Sequence, residues 1–239
     1  MSKLSVFCLL EFEQNMLLAG TSNNNIGLWD LSSQNNENEF TFMQHNLWVN
    51  CLVRCDDDHF ASAGNDALIC IWDYKNRQLK YDLKGHIDCI LTLIKLNNGN
   101  LCSGSADLTI KIWDWKNQRL ISSIKTPHNK WVKCIYQLND GTLLSGSENI
   151  CVWTNQNFTP IKKLCDHKHY IRTLCQIDDN HFASGSFDKT IKIWNIRDFT
   201  VAQTIEAHNS NVICIIKLKD NKLVSCSNDK TIKIWERNY

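Results

Sequence analysis

Short apolar segments separated by polar turns follow one another along almost the whole chain. In the stretch that begins at His86, the apolar segments are residues 90–96, 101–105, 109–113 and 119–124. The turns are rich in Asn and Asp, which tolerate the positive backbone φ that a tight turn needs. Segments of this length and spacing predict antiparallel β-strands and no helices. The chain is therefore expected to be all-β.

A sixfold repeat organises these strands. Each copy ends in a tryptophan, and the gaps between successive tryptophans are 43, 41, 40, 41 and 41 residues. The six are Trp29, Trp72, Trp113, Trp153, Trp194 and Trp235. A period of about forty residues is typical of small four-stranded sheets, or blades, stacked around an axis so that both apolar faces of each are covered. The sequence thus predicts one domain over residues 1–239, a β-propeller with a tryptophan on the third strand of each blade.

The strand count leaves the last blade incomplete. Outer, fourth strands are predicted over residues 40–44, 78–83, 120–125, 161–165 and 201–205. The last blade, from Val212 to Trp235, has no corresponding segment. The chain is then either a six-bladed ring with a weak seam or an incomplete seven-bladed propeller. We favour the second, because an unsealed ring leaves a bare strand edge that invites pairing with another chain.

The sequence resembles the WD-repeat family over essentially its whole length. The family dipeptide is kept in three repeats and altered in the other three: Trp29-Asp30, Trp72-Asp73, Trp113-Asp114, Trp153-Thr154, Trp194-Asn195 and Trp235-Glu236. The decapeptide Gly-Ser-x-Asp-x-Thr-Ile-Lys-Ile-Trp ends intact at Trp113 and Trp194 and nearly intact at Trp235. The resemblance implies a β-propeller of WD repeats that serves as a protein-interaction scaffold.

Ser, His and Asp recur at fixed distances from the Trp in four repeats. The His lies 27 residues, the Ser ten and the Asp six before the Trp. The four sets are His45, Ser62, Asp66 and Trp72; His86, Ser103, Asp107 and Trp113; His167, Ser184, Asp188 and Trp194; and His208, Ser225, Asp229 and Trp235. These residue types also make hydrolase triads, but a triad is built once rather than four times. The resemblance implies a structural tetrad instead, linked from Trp to Ser, Ser to His and His to Asp.

Two repeats depart from the tetrad. The first has Ala19 and Asn23 in place of Ser and Asp, and it has no His. The fourth keeps the His, Ser and Trp, but its turn is two residues shorter, so Glu148 and Asn149 are not expected to supply the Asp. These two blades should be the least firmly clamped.

The resemblance also implies a partner-binding face at the narrow, top end of the propeller channel. Residues three and five positions after the His, and the residue before the turn Asp, lie there in WD-repeat proteins. The predicted binding residues are Trp48, Asn50, Trp131, Lys133, Tyr170, Arg172 and Phe187. Aromatic and Arg side chains are common interface anchors, and the two cations favour an acidic or phosphorylated partner. Aromatic plugging of the channel mouth is the alternative.

The predicted function is a non-catalytic scaffold that docks a partner peptide or domain within a larger complex. One alternative is a substrate receptor of a cullin-type ubiquitin ligase, because Trp194-Asn195-Ile196-Arg197 is close to the Trp-Asp-x-Arg box of such receptors, although Asn195 departs from it. A propeller enzyme is a remote alternative. The sequence has no Gly-rich phosphate loop ending in Lys and no His-Glu-x-x-His, and we predict no catalytic, cofactor or metal site.

Composition narrows the setting. The formal net charge is +1, with 26 basic and 25 acidic residues interspersed, which argues against nucleic acid as a partner. The apolar runs are far shorter than the roughly 18 residues of a membrane helix, and the N-terminus has no secretory signal pattern. Twelve cysteines without a Cys-x-x-Cys are expected to be buried thiols in a reducing compartment, and no ligand spacing favours zinc. The expected location is intracellular, in the cytoplasm, with the nucleus left open.

Overall fold

The computed structural model describes residues 5–33 and 39–236, which form β-strands joined by turns. Within these ranges there is no helix, as the alternation of short apolar segments predicts. The chain divides into two compact units, Met1–Thr126 and Pro127–Tyr239. The single domain over residues 1–239 stays a prediction.

The first unit contains three four-stranded antiparallel sheets, blades 1 to 3. Their strands are β1 (Val6–Glu13), β2 (Met16–Thr21), β3 (Asn25–Asp30) and β4 (Phe40–Met43); β5 (Val49–Arg54), β6 (His59–Gly64), β7 (Ile69–Asp73) and β8 (Gln78–Leu83); and β9 (Ile90–Lys95), β10 (Leu101–Ser105), β11 (Thr109–Asp114) and β12 (Arg119–Lys125). In each sheet the strands lie side by side in chain order.

The second unit contains two four-stranded sheets and one three-stranded sheet, blades 4 to 6. Their strands are β13 (Cys134–Gln137), β14 (Leu143–Gly146), β15 (Ile150–Trp153) and β16 (Pro160–Leu164); β17 (Ile171–Gln176), β18 (His181–Ser186), β19 (Thr190–Asn195) and β20 (Val201–Glu206); and β21 (Val212–Lys217), β22 (Leu223–Ser227) and β23 (Ile232–Trp235). The five predicted outer strands are confirmed as β4, β8, β12, β16 and β20. In the described part of the chain, blade 6 has three strands, as predicted.

One recurrent apolar contact joins successive blades within each unit. Two branched residues on the third strand of one blade pack against two on the first strand of the next, because side chains alternate between the faces of a sheet. In the first unit Ile69 and Ile71 share a core with Ile90 and Leu93. In the second unit Ile191 and Ile193 share a core with Val212 and Ile215. We call this four-residue contact the blade lock.

The turns need positive backbone φ, and the residues that adopt it are only partly those expected. Asn15 and Asn221, with Gly99 and Gly141, have positive φ in the turn between first and second strands. In the next turn, however, φ is positive at Ala67, Leu108, Lys189 and Lys230 as well as at Asn24. This conformation costs a non-glycine residue about 1–2 kcal/mol. The tolerance of Asn for positive φ therefore accounts for Asn15, Asn24 and Asn221, whereas most residues with positive φ in the second turn are of other types.

The cysteines are free thiols, and most of them are buried. Cys165 and Cys214 are exposed, contrary to the expectation of buried thiols throughout. Burial raises the pKa of Cys134 and that of Cys151 to about 12. These interior thiols therefore stay protonated and act as small apolar side chains.

Replacing Gly185 by Ala is expected to destabilise the second unit by about 1–3 kcal/mol, because the fit there leaves no room for a methyl group. An added Cβ would lie 2.7 Å from both Thr173 Cγ2 and Val212 Cγ1. The measurement is thermal unfolding, in which each kcal/mol lowers Tm by about 2–4 °C. Ala63 occupies the same register in blade 2, so Ala63→Gly is the matched control and should cost about 0.5–1 kcal/mol. An unchanged Tm for Gly185→Ala would contradict this packing.

Candidate functional site

The tetrad of blade 3 is a continuous chain of buried hydrogen bonds. The Trp113 indole N–H donates to Ser103 Oγ at 2.8 Å, and the Ser103 hydroxyl donates to His86 Nε2 at 2.7 Å. His86 Nδ1 then donates to Asp107 Oδ2 at 2.7 Å. The indole N–H can only donate and the ionised Asp107 carboxylate can only accept, so His86 Nδ1 carries a proton. In the neutral imidazole Nε2 is then the acceptor of the serine proton. The network thus fixes the histidine as the tautomer protonated on Nδ1.

The other three predicted sets adopt the same geometry. The Trp Nε1 to Ser Oγ distances are 2.8, 2.7 and 2.9 Å in blades 2, 5 and 6. The Ser Oγ to His Nε2 distances are 2.7, 2.7 and 2.8 Å. The His Nδ1 to Asp Oδ2 distances are 2.8, 2.7 and 2.9 Å. Each set joins the loop before the first strand to the second and third strands of its blade.

The aspartate of the tetrad also holds the neighbouring backbone. Asp107 accepts hydrogen bonds from the Thr109 N–H at 2.9 Å, the Thr109 hydroxyl at 2.6 Å and the Ile87 N–H at 3.2 Å. Burial alone would raise the pKa of the Asp107 carboxyl, but the bonds from His86 and Thr109 outweigh it and hold the pKa well below its usual range. The carboxylate is therefore ionised and accepts several hydrogen bonds, which stabilise the turn that contains the strained Leu108.

Blade 4 completes its network in a way that the sequence analysis excluded. His128 Nδ1 donates to Asn149 Oδ1 at 3.0 Å, while Ser145 bridges His128 and Trp153 at 2.8 and 2.9 Å. The Asn129 backbone N–H, whose counterpart in other blades binds the Asp, donates to Glu148 Oε1 at 2.9 Å. The prediction that Glu148 and Asn149 do not supply the role of the Asp is wrong. Asn149 accepts the bond from the histidine, and Glu148 accepts the bond from the backbone N–H.

Substitution of an amide for the carboxylate changes the electrostatics of the histidine. Asn149 is neutral, so no adjacent anion of the tetrad stabilises a charged imidazole. Burial lowers the pKa of His128 to about 4, although the more distant Glu148 acts in the opposite direction. His128 is therefore neutral throughout the physiological pH range.

Blade 1 lacks the tetrad, as predicted. Ala19 provides no hydroxyl to accept a bond from Trp29, which is only half-buried. Its turn is held instead by Thr21, whose hydroxyl lies against Asn23 Oδ1 and donates to the Asn25 carbonyl at 2.8 Å. Asn24 Nδ2 donates to the Asn46 carbonyl of the next blade at 2.9 Å.

The second unit brings together five of the seven predicted binding residues. Lys133 Nζ lies 4.4 Å from the ring centre of Trp131 and 5.7 Å from that of Tyr170, in cation–π geometry. Phe187 packs edge-on against Tyr170 at 6.2 Å. Arg172 borders the group and donates to the Lys133 carbonyl at 3.3 Å. Trp131 is 50% exposed.

Sequence reasoning missed one member of this group. His169 is exposed and lies 5.4 Å from Tyr170 and 5.7 Å from Phe187 between ring centres. It lies two residues after the tetrad His167 and directly before the predicted binding residue Tyr170. We call Trp131, Lys133, His169, Tyr170 and Phe187 the aromatic patch.

The other two predicted binding residues lie in the first unit. Trp48 is half exposed and stacks on Phe7 with a ring-centre separation of 5.1 Å. Asn50 is engaged in the fold, since its Nδ2 donates to Asn65 Oδ1 at 2.7 Å and to the Ile90 carbonyl of blade 3 at 2.8 Å. Asn50 therefore bridges two blades rather than facing outward as an open anchor.

Neither a metal-binding cluster nor a membrane-spanning helix occurs among the described residues. They contain no group of three or more His, Cys, Asp or Glu side chains arranged to hold a metal ion. The same ranges contain no helix with the length and apolar character needed to cross a membrane.

Comparison with known proteins identifies the repeats. The family model described as "WD domain, G-beta repeat" (WD40) matches residues 36–73, 77–114, 158–195 and 199–236, together more than half of the chain. These stretches are the repeats that end at Trp72, Trp113, Trp194 and Trp235, which carry complete tetrads.

Two similar proteins place these repeats in context. The WD repeat-containing protein 55 homolog of Dictyostelium discoideum is 24% identical over 187 residues, which cover 77% of this chain and 35% of that protein. The chain thus spans about a third of the length of this relative. The crystal structure of the WD40 beta propeller domain of Doa1 superposes with a TM-score of 0.85 at 20% identity, covering 98% of this chain and 79% of that one. This likeness shows the β-propeller fold.

Removal of a tetrad carboxylate should cost far more than removal of its counterpart in blade 1. Asp107→Ala strands the buried His86 Nδ1–H, which costs about 1–3 kcal/mol, and it also removes the acceptor of the part-buried Thr109 N–H. Asn23 is exposed, so Asn23→Ala is the matched control and should change stability by no more than about 0.5 kcal/mol. Urea unfolding measures both, and equal midpoints would contradict the structural role of the tetrad.

Acid should weaken the second unit through His128. The unfolded chain binds a proton near the ordinary histidine pKa, whereas the folded chain does not until pH is about 4. Stability is therefore full above pH 6.5 and is lost as pH falls from 6.5 to 4, by an amount on the order of 3 kcal/mol. The tetrad aspartates, whose folded pKa values are lowered, lose their contribution only at more acidic pH.

Asn149→Asp tests this assignment, because a carboxylate beside His128 favours the charged imidazole and should remove at least half of the loss between pH 7 and pH 4.5. The measurement is the free energy of unfolding in urea at both pH values. Asn157→Asp adds the same charge on an exposed loop and should leave the pH dependence as in the wild type. An identical pH dependence in Asn149→Asp and wild type would show that another group is responsible.

Proposed function

The chain belongs to the WD40 repeat family, and from that premise we propose that it is a non-catalytic scaffold whose aromatic patch binds a partner peptide or domain. The family model and the propeller fold support a protein-interaction role. The observation that carries the choice of surface is the clustering of four side chains from loops and a turn of two successive blades: Trp131, Lys133, Tyr170 and Phe187.

The internal bonding of the tetrads supports a non-catalytic reading. Each tetrad serine is buried, accepts the indole proton and donates its own proton to the histidine. A nucleophile must instead face a substrate, with its base free to take the proton. Four serines with identical internal partners fit a clamp better than a reaction centre.

The chemistry of the patch supports a binding role. Trp and Tyr bury large areas at small entropic cost and are enriched among the residues that dominate interface energies. A half-exposed Trp131 whose neighbours already form a surface cluster is pre-organised for contact, because little has to move before a partner docks. Its side chain is not needed to fill a core.

The charges around the patch support an acidic or phosphorylated partner. Besides Lys133 and Arg172, exposed lysines flank the patch in sequence at Lys130, Lys168 and Lys189. Three acids lie in the same loops and turns. Asp188 belongs to a tetrad and Glu148 accepts bonds from Ser147 and Asn129, whereas Asp166 is exposed. Because cations outnumber acids in these loops and turns, the surroundings of the patch support a partner that carries carboxylates or phosphates.

Trp131→Ala should reduce capture of the natural partner from a cell extract at least tenfold, while Tm changes by no more than about 2 °C, because the side chain is half exposed. Affinity purification with quantitative mass spectrometry measures the first and a melting curve the second. Ile161→Ala is the matched control, since Ile161 is 58% exposed on β16 of the same unit. Lys133→Gln should weaken capture and flatten its salt dependence. Equal capture by all variants would exclude this surface.

A further inference from the structure

The two ends of the blade series display apolar faces that every other blade buries. The blade lock joins a third-strand pair to the first strand of the following blade. The same contact recurs between Ile150, Val152, Ile171 and Leu174 in the second unit, and between Ile26, Leu28 and Val49 in the first. A blade therefore has two different faces. One packs against the preceding blade in the chain, and the other packs against the following blade.

Blade 1 exposes the face that follows a blade. Val6 pairs with Thr21 and Leu9 with Ala19, which places them in register with Val212 and Ile215 of blade 6. Val212 is 0% and Ile215 3% exposed, whereas Val6 is 51% and Leu9 60% exposed. Leu17 and Trp29 on the same face are half-buried, while their counterparts in blade 5, Phe182 and Trp194, are buried. We call Val6, Leu9, Leu17 and Trp29 the entry face.

Blade 6 exposes the opposite face. Ile232 and Ile234 are in register with Ile191 and Ile193 of blade 5. The blade 5 pair is 0% and 1% exposed, whereas Ile232 is 73% and Ile234 62% exposed.

A cysteine marks the same face of blade 6. Cys214 is exposed, while Cys134 at the same register of blade 4 reaches the carbonyl of Ile171 in the following blade at 3.6 Å. We call Cys214, Ile232 and Ile234 the exit face.

We propose that a second copy of this chain covers these faces, so that the exit face of one molecule packs on the entry face of the next. The two faces are the two halves of the blade lock, which the chain already forms within each unit. Exposed apolar patches of this kind mark interaction sites in soluble proteins. The contact is heterologous, because the two partners use different surfaces.

Complementary variants test the proposal on the full chain by sedimentation velocity over a range of concentrations. Wild type should at least double its mass as concentration rises. Leu9→Asp and Ile234→Asp should each remain monomeric alone, because each has lost one half of the contact. Mixed one to one, they should form a dimer and nothing larger, since each supplies the face that the other lacks. Ile161→Asp, exposed outside both faces, is the control and should associate like wild type.

Thiol labelling gives a second readout that does not depend on mutation. Association should slow alkylation of Cys214 at least fivefold and leave that of the exposed Cys165 unchanged, as followed by mass spectrometry. If an aspartate variant fails to fold, Leu9→Ser and Ile234→Ser replace the pair. A wild type that stays monomeric at every concentration, variants that still self-associate alone, or a mixture that stays monomeric would each overturn the proposal.

Discussion

The fold of each complete blade depends on one serine hydroxyl with two simultaneous partners. Ser103 Oγ accepts from the Trp113 indole and donates to His86, so it joins the third strand to the loop before the first strand through the second. A buried oxygen that is satisfied in both roles adds stability, whereas one left with a single partner costs free energy. The hydroxyl is therefore fully hydrogen-bonded only when both the Trp and the His are present.

The two ends of this chain of bonds tolerate change unequally. In blade 4 the serine and tryptophan keep their geometry while an amide and a glutamate replace the aspartate. In blade 1 the serine, the histidine and the aspartate are all absent, and Trp29 lies on the uncovered entry face. The acid end is thus replaced by other acceptors in blade 4, whereas the serine hydroxyl is present in every described blade that forms the network. A charged acceptor holds its turn more firmly, and a neutral one makes the blade sensitive to protonation.

Repeat spacing was sufficient to predict the strands, and Gln78–Leu83 has the predicted bounds. It failed at Asn149 because positions were counted back from Trp153, and the two missing residues lie between them. Counted forward from the histidine, Asn149 stands 21 residues on, as Asp66 does from His45. Exposure could not be predicted at all: Val6 and Val49 are the same residue at the same register, yet one is 51% and the other 0% exposed. That difference depends on which sheet stacks on the strand, which the strand's own sequence does not encode.

The two faces of a blade carry different residues, and this difference gives the series of repeats a fixed direction. The tryptophan and the apolar pair on the first strand pack against the preceding blade. The isoleucine pair on the third strand packs against the following blade, so only one stacking order covers both faces. A whole repeat inserted between two others would present a matching face on each side. The addition or removal of a complete repeat would therefore preserve the contacts between the remaining blades, because each repeat contacts only its neighbours.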